Sequence, residues 1–225
     1  MNKKLLVLVG ELFIIASGVL ALWLFYQSNV TNTLAAVEAQ TTEIAMNDAW
    51  KKGDPVVLEP GESFAKVYIP KLKSRVWGTP VKEGTSQKDL NGTLGHYSSS
   101  ALPGEIGNFA LAGHRVTHGE PFRDFPKLKT GDLVFVEMSD TWFTYRLDKT
   151  LFVEPSRFEV VTSMPMKGVN LIEKQESWIT LTTCDPEWNS TRRWIWFGSL
   201  VEMSNARPSF LGTKNDHLIS KRIVQ

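Results

Sequence analysis

The chain has 225 residues and a formal net charge of +1, and its acids and bases are interspersed. This length suits one domain with attachments and can bury a sizeable core. The sequence has no basic stripe, which argues against a nucleic-acid partner because phosphate contacts require clustered Lys and Arg. The single cysteine, Cys184, excludes an internal disulfide framework and a CxxC metal site. Its thiol is therefore either an inert core group or a reactive one.

The amino terminus predicts a membrane anchor. Residues 5–26 are apolar apart from one acid. At about 1.5 Å per residue they can cross a hydrocarbon core of about 30 Å. Lys3 and Lys4 precede them, so the positive-inside rule places residues 1–4 in the cytoplasm and the rest of the chain outside. A signal peptide cleaved near the VEA of residues 37–39 is the alternative, but the apolar run is longer than a typical signal core.

Three segments are expected after the anchor. Residues 27–60 are polar and alanine-rich, with no strong apolar face, and indicate a stalk or linker. Residues 61–205 have the texture of a folded domain, because short apolar pieces alternate with Gly, Pro, Asn and Asp. Residues 206–225 indicate a loose carboxyl-terminal tail.

The folded segment favours strands over helices. The predicted strands are AKVYIP, GNFALAG, GDLVFVEM, TWFTYRL, FEVVTS, SWITLTTC and RRWIWFGSLVEM. A hairpin is expected to turn at Ser139 and Asp140, and short helices fit only around residues 87–90 and 121–128. Many short strands with few helices predict an all-β domain, either a closed barrel or a sandwich.

Two histidines, His114 and His118, are spaced as metal ligands on one face of a helix would be. The glycines that flank the pair argue against a helix there, and no third ligand is evident, so a zinc site is not expected. His96 and His217 have no recognisable chemical neighbours in the sequence and are expected at the surface.

Cys184 ends an apolar run, and a nucleophilic thiol in that place would need three kinds of help. It needs a base or cation that favours thiolate, an electrophile held nearby, and stabilisation of the developing oxyanion. His114 follows another predicted strand and can serve as the base. Arg193 can stabilise negative charge, since guanidinium remains charged and donates a planar fork of N–H groups. If residues 185–192 join two antiparallel strands, Cys184 and Arg193 become neighbours at one rim.

The motifs around these residues resemble those of sortases, the membrane-anchored cysteine transpeptidases of Gram-positive bacteria. The family's TLxTC motif reads TLTTC at residues 180–184, and its AGH motif lies at residues 112–114. An arginine, Arg193, leads the last apolar strand, as in the family. The run GHYSSSALPGEIGNFALAGHRVTHGEPF is similar to that of the class E group of actinobacteria. The resemblance covers roughly residues 62–203.

The resemblance implies a closed eight-stranded β-barrel and a catalytic role for three residues. Cys184 is the expected nucleophile, His114 the expected acid and base, and Arg193 the group that holds the oxyanion or the substrate backbone. The sequence departs from the family where Trp194 replaces an aliphatic residue. Arg192 is the alternative arginine. Strand alternation places Arg193 on the same face as Ile195, whereas Arg192 shares its face with Trp194 and Trp196 and is expected to be a solvated neighbour.

The resemblance also implies the substrate, which is a secreted protein with an LPxTG-like sorting signal near its carboxyl end. Class E enzymes are associated with LAxTG signals, and Tyr97 matches the tyrosine thought to recognise the alanine. Thr183 is expected to support the site near the substrate threonine. Met164 and Pro165 lie in the connection that forms a wall of the sortase groove and are candidates for the pocket of the signal's leucine.

The expected reaction cleaves the signal between Thr and Gly and passes the acyl group to an amine of a peptidoglycan precursor or a pilin lysine. No metal or organic cofactor is required. Two alternatives remain open from the sequence. One is a membrane-tethered β-domain that binds partners with Cys184 inert, and the other is a hydrolytic cysteine peptidase that uses the same residues with water as acceptor. A related hypothesis is that His114 and Cys184 rest as neutral imidazole and neutral thiol.

Overall fold

A computed structural model of the chain describes residues 3–162 and 176–211. These residues form two helices and eight strands, joined by turns and short 3₁₀ helices. The helices are α1 (Lys3–Phe25) and α2 (Thr31–Lys52). The strands are β1 (Ser63–Tyr68), β2 (Trp77–Glu83), β3 (Leu94–His96), β4 (Gly107–Ala112), β5 (Leu133–Met138), β6 (Thr141–Val153), β7 (Ser177–Asp185) and β8 (Arg192–Ser204).

The eight strands close into a barrel in the order β1-β2-β3-β4-β7-β8-β6-β5. The β2–β3 and β4–β7 pairs are parallel and the others are antiparallel. Closure removes exposed strand edges, which would otherwise be free to pair with other chains. The expected hairpin is confirmed, because Met138 pairs with Thr141 across a two-residue turn in which Ser139 has a φ of 53°. The predicted eight-stranded closed barrel is therefore confirmed.

Side chains on the two faces of β7 and β8 enter different apolar clusters. Ile179, Leu181 and Trp196 belong to the main cluster, which fills the barrel. Ile195 and Phe197 belong to a second cluster, which includes Ala110 of β4 and two valines before the undescribed segment. Alternation along a strand separates the two sets. By the same alternation, Ile195 and Phe197 lie on the sheet face that Cys184 and Arg193 share.

Three details of the strand and helix predictions were wrong. The apolar run FEVVTS forms a 3₁₀ helix, Phe158–Val161, and not a strand. Residues 87–90 form a turn, and the predicted helix at residues 121–128 reduces to the 3₁₀ helix Phe125–Lys127. Strands β2 and β3 were missed. Gly78 and Pro80 interrupt the pattern of β2, and β3 has only three residues.

The amino-terminal helix runs without a break from Lys3 to Lys52 and is long and apolar enough to cross a membrane. No side chain of α1 is buried. Within this continuous helix a π-helical turn, Tyr26–Val30, joins α1 to α2. The segment predicted as a stalk is therefore mostly helix, and α2 lies against β1 and β2 with Ala35 and Met46 buried. Small apolar residues spaced along α2 allow this close packing without a wide apolar face.

The described start of the carboxyl-terminal tail is not loose. Ser209–Leu211 form a 3₁₀ turn, and Leu211 is buried beside Tyr68, Phe135 and Trp142 on the outside of the barrel. Phe210 contacts Phe135 with ring centroids 4.5 Å apart. Aromatic contacts of this kind hold the chain on the barrel as far as residue 211.

Candidate active site

Strands β7 and β8 bring Cys184 and Arg193 together. The two residues face each other in the antiparallel register, next to the pairs Thr183–Trp194 and Asp185–Arg192. The loop between the strands returns the chain to the same rim of the barrel, as the sequence predicts. Cys184 is a free cysteine and is half-buried, so its thiol has a route to solvent.

Strands β4 and β7 bring His114 to the same rim. Their parallel register ends with the pair Ala112–Thr182, and His114 and Cys184 each lie two residues beyond it. Two hydrogen bonds extend the junction, because Gly113 N donates to Thr182 O at 3.1 Å and Thr183 Oγ1 donates to Gly113 O at 2.8 Å. Thr183 is buried, so its hydroxyl acts by joining the two strand ends.

The His114 side chain is partly buried, and its environment disfavours the charged form. Burial, followed by repulsion from His118, lowers the pKa of His114 from 6.5 to about 4. The two rings lie 5.1 Å apart at an interplanar angle of 32°. Among the described residues His114 Nε2 is buried and has no hydrogen-bond partner. At neutral pH the ring is therefore a neutral imidazole, and its Nε2 makes no hydrogen bond with the described residues.

The loop after His114 has an unusual backbone. Thr117, His118, Gly119 and Glu120 all have φ between 40° and 83°. Left-handed conformations of non-glycine residues cost about 1–3 kcal/mol each and persist where surrounding contacts fix them. Glu120 is such a fixed point, because its carboxylate is buried and accepts a hydrogen bond from Arg75. The loop thus holds His118 beside His114 at an energetic cost that its contacts must offset.

The two neighbouring arginines have different partners. Arg192 donates to Asp185 Oδ2 at 2.7 Å and its guanidinium lies over the ring of Phe152. Arg193 donates only to backbone carbonyls, those of Ser190 and Arg192, each at 3.2 Å. Among the described residues no carboxylate pairs with Arg193. Its charge is therefore available at the rim, whereas that of Arg192 is engaged.

Asp185 points away from the thiol, as alternation along β7 predicts. It is buried and accepts a hydrogen bond from Arg115 at 2.6 Å. Arg115 in turn lies over the ring of Trp194 and donates to Cys184 O at 3.4 Å. Arg115 and Asp185 thus form a buried ion pair. Through this pair Arg115 links the Asp185 carboxylate to the backbone at Cys184.

Tyr97 reaches β7 from the loop after β3. Its hydroxyl lies 3.2 Å from Thr182 Oγ1, and its ring packs against the second apolar cluster. Thr182 shares its strand face with Cys184, so Tyr97 lies along the same surface as the thiol. Met164 and Pro165, the other candidate substrate contacts, lie outside the described residues, as does His217.

Sequence reasoning missed two buried polar residues near the site. His96, expected at the surface, is buried, with Nδ1 2.6 Å from Glu83 Oε2 and Nε2 3.1 Å from Ala101 O. The pairing of β2 with β3 brings Glu83 to it, and that contact has no local sequence signal. Asn108 donates to two carbonyls of the Phe158–Val161 region and accepts from Thr180.

Residues 3–162 and 176–211 contain no group of three or more His, Cys, Asp or Glu side chains that could hold a metal ion. His114 and His118 do approach each other, but by ring packing in a loop and not as paired ligands on a helix. The rim brings together a thiol, an imidazole and a guanidinium.

A sortase-domain family model matches residues 67–201, which include the whole rim. The chain belongs to the sortase family. It is 39% identical over 222 residues to sortase SrtE1 of Streptomyces coelicolor, a match that covers 94% of this chain and 60% of that protein. It is 32% identical to sortase D of Bacillus subtilis, covering 86% of this chain and 98% of the relative.

Solved structures agree with the family. Sortase E from Streptomyces avermitilis is 40% identical and superposes with a TM-score of 0.60, covering 68% of this sortase and 99% of that chain. Sortase E1 from Streptomyces coelicolor, solved with a tripeptide in the active site, is 38% identical with a TM-score of 0.59 and covers 71% of this sortase and 98% of that chain. The expected resemblance to class E sortases is confirmed.

Proposed function

We propose that this sortase is a membrane-anchored cysteine transpeptidase. It cleaves an LAxTG or LPxTG-like signal of a secreted protein between Thr and Gly. It transfers the acyl group to an amine of a peptidoglycan precursor or to a pilin lysine. The observation that supports the proposal is the strand register, in which Cys184 pairs with Arg193 and His114 follows the strand beside β7. The similarity to sortases of the E type supports the same chemistry.

The first half-reaction begins with a proton transfer from Cys184 to His114. Because the pKa of His114 is about 4, its imidazole is neutral at physiological pH and can accept the thiol proton. Cys184 Sγ attacks the carbonyl carbon of the signal's threonine, and the imidazolium that forms gives its proton to the departing glycine amine. The product is a thioester on Cys184 and a free glycine-containing fragment. Hydrolysis of ATP is unnecessary, because the thioester keeps the acyl group activated.

The second half-reaction reverses the roles. An incoming amine attacks the thioester carbonyl and loses a proton to His114, and the thiol regains a proton as the amide forms. Arg193 stabilises the oxyanion or holds the substrate backbone in both steps, since it has no carboxylate partner among the described residues. Arg192 is held by Asp185 and serves as a matched comparison.

Substrate recognition is assigned to the surface beside the thiol. Tyr97 lies along the strand face of Cys184 and contacts Thr182, and we assign it to recognition of the signal's alanine or proline position. Thr183 supports the site through its hydrogen bond to Gly113. Met164 and Pro165 remain candidates for the leucine pocket.

Helix α1 anchors the enzyme in the cell membrane as a single pass. Its side chains are all exposed, which suits contact with lipid, and Lys3 and Lys4 assign the amino terminus to the cytoplasm. The barrel then lies on the extracytoplasmic side, where secreted substrates and wall precursors are found. This orientation requires that the anchor is retained and not cleaved as a signal peptide.

The test uses the full chain in detergent micelles. Wild type, Cys184→Ala, Arg193→Gln and Arg192→Gln are incubated with LAxTG and LPxTG peptides, with and without a small amine, and analysed by mass spectrometry. We expect a thioacyl adduct on Cys184, release of the glycine fragment, and an amide product that requires the amine. Arg193→Gln should lose most of the activity and Arg192→Gln should keep most of it.

Two other outcomes would replace the proposal. A folded wild-type protein with no adduct and no cleavage would favour a membrane-tethered binding domain with an inert thiol. Cleavage that gives free acid as the main product even at high amine concentration would favour a hydrolytic peptidase. Equal losses in the two arginine variants would remove Arg193 from its assigned role but leave the thiol chemistry in place.

A further inference from the structure

Helix α2 is held on the barrel by polar contacts along its length. Near its carboxyl end Asn47 Oδ1 accepts a hydrogen bond from Lys66 Nζ at 2.8 Å. Near its middle Glu38 pairs with Lys82 at 2.7 Å. Near its amino end Asn32 makes two contacts of a different kind, because they go to a loop and not to a strand. That loop is the one that follows the candidate catalytic histidine.

Asn32 grips both the backbone and a side chain of this loop. Its Oδ1 accepts from Gly119 N at 2.9 Å, and its Nδ2 donates to Glu120 Oε1 at 2.9 Å. Glu120 is buried and also binds Arg75 and Arg123, so Asn32 contacts a fixed point and not a free side chain. The side-chain amide of Asn32 therefore accepts a hydrogen bond from the backbone N–H of Gly119. It also donates one to the carboxylate of Glu120, which anchors the left-handed residues.

Helix α2 packs so closely against the loop that side chains larger than those present would not fit between them. Ala35 is fully buried, and a Cβ placed on Gly92 would lie 2.1 Å from Ala35 O. A Cβ on Gly119 would lie 2.9 Å from Gly92 Cα and 3.4 Å from Ala35 Cβ. Gly92 N donates to His118 O at 3.0 Å, which ties the same junction to the loop. The backbone of His118 is thus fixed from the side of the helix.

We propose that Asn32 is a positioning residue for catalysis, which holds His118 against the His114 ring by fixing the loop of residues 117–120. The left-handed backbone of this loop needs outside contacts to persist, and Asn32 supplies two of them. The His118 ring packs against the His114 ring, with centroids 5.1 Å apart, so a displaced loop would remove this contact from His114. The segment between the membrane anchor and the barrel is therefore part of the catalytic unit.

The test compares two matched substitutions in the full chain in detergent micelles. Asn32→Ala removes the contacts to the loop. Asn47→Ala removes a hydrogen bond of the same helix to the barrel without touching the loop. We expect Asn32→Ala to lower kcat for transpeptidation at least about fivefold with KM for the sorting peptide unchanged, since a small displacement of a catalytic group is enough for such a loss. Asn47→Ala should leave both constants near the wild-type values.

The kinetic test rests on the proposed function, so a second readout is independent of activity. Histidine side chains are labelled with ¹³C and their Cε1–H resonances are followed by NMR. The His114 and His118 signals, assigned with His114→Gln and His118→Gln, should shift or broaden in Asn32→Ala and stay in place in Asn47→Ala. If the enzyme proves inactive, these spectra still decide whether Asn32 positions the histidine pair.

Two results would overturn the inference. The first is an Asn32→Ala protein with wild-type kcat and unchanged signals for both histidines. The second is a set of equal effects in Asn32→Ala and Asn47→Ala on rate, spectra and melting temperature, which would show that Asn32 acts only by docking the helix. A fall in melting temperature shared by both variants, with the rate and spectra changed only in Asn32→Ala, would support it.

Discussion

Lowering the pH should destabilise this sortase through His114 in a way that can be isolated. Its pKa is lowered from 6.5 to about 4 in the folded protein, by burial first and by His118 second. Between these two values the unfolded chain binds more protons, so folding stability falls as the pH falls through this window. From about pH 7.5 to about pH 5 the expected loss is about 2 kcal/mol, and it approaches about 3 kcal/mol below the folded pKa.

The contribution of this one side chain is measured by comparison with His114→Gln, which keeps a polar side chain of similar size but does not titrate. Both proteins are unfolded with guanidinium at several pH values, and the transition is followed by tryptophan fluorescence. Other titrating groups cancel in the difference, so the wild type should lose about 2 kcal/mol more than the variant by about pH 5. Equal losses in the two proteins, or an NMR midpoint of His114 near 6.5, would refute the reasoning.

Three further predictions concern the structure around the rim. Asp185→Asn leaves Arg115 buried without its closest partner, so we expect a loss of about 3 kcal/mol in denaturant unfolding; a loss below about 1 kcal/mol would argue against the pair. Gly92→Ala places a methyl group against Ala35 O and should make helix α2 exchange its amide hydrogens faster, while exchange in β6 stays slow. Tyr97→Phe removes the hydroxyl contact to β7 and should change the LAxTG-to-LPxTG preference more than kcat; an unchanged preference would remove Tyr97 from recognition.

Local patterns in the sequence were enough to predict the strands that form the rim. The alternation of apolar residues before Cys184 and after Arg193 is that of two neighbouring strands, and a short loop between them makes their antiparallel pairing the simplest expectation. The position of Asp185, turned away from the thiol, followed from the same alternation. These conclusions needed only residues close together in the chain.

Contacts between distant segments were beyond the reach of such patterns. FEVVTS looked like a strand because it is apolar, but Asn108 donates to its carbonyls and takes the place of sheet pairing. His96 had no recognisable partner in the sequence, because Glu83 lies on β2 and the strand pattern of β2 is interrupted by Gly and Pro. Residues 27–60 looked like a free linker because α2 binds the barrel through small residues and single polar contacts, and not through an apolar stripe.

With α1 in the bilayer, as proposed, the unbroken helix from Lys3 to Lys52 limits the distance between the candidate active site and the membrane. If residues 27–60 were a flexible tether, its ends would lie at a root-mean-square distance of about 30 Å, and the barrel could move within that range. The 22 residues of α2, about 33 Å long and docked on β1 and β2, hold the rim at one height and one tilt relative to the anchor. With α1 in the bilayer, the search for a membrane-held signal becomes lateral diffusion in two dimensions. The thiol is then confined to the layer in which such signals are presented, and this confinement sets its local concentration.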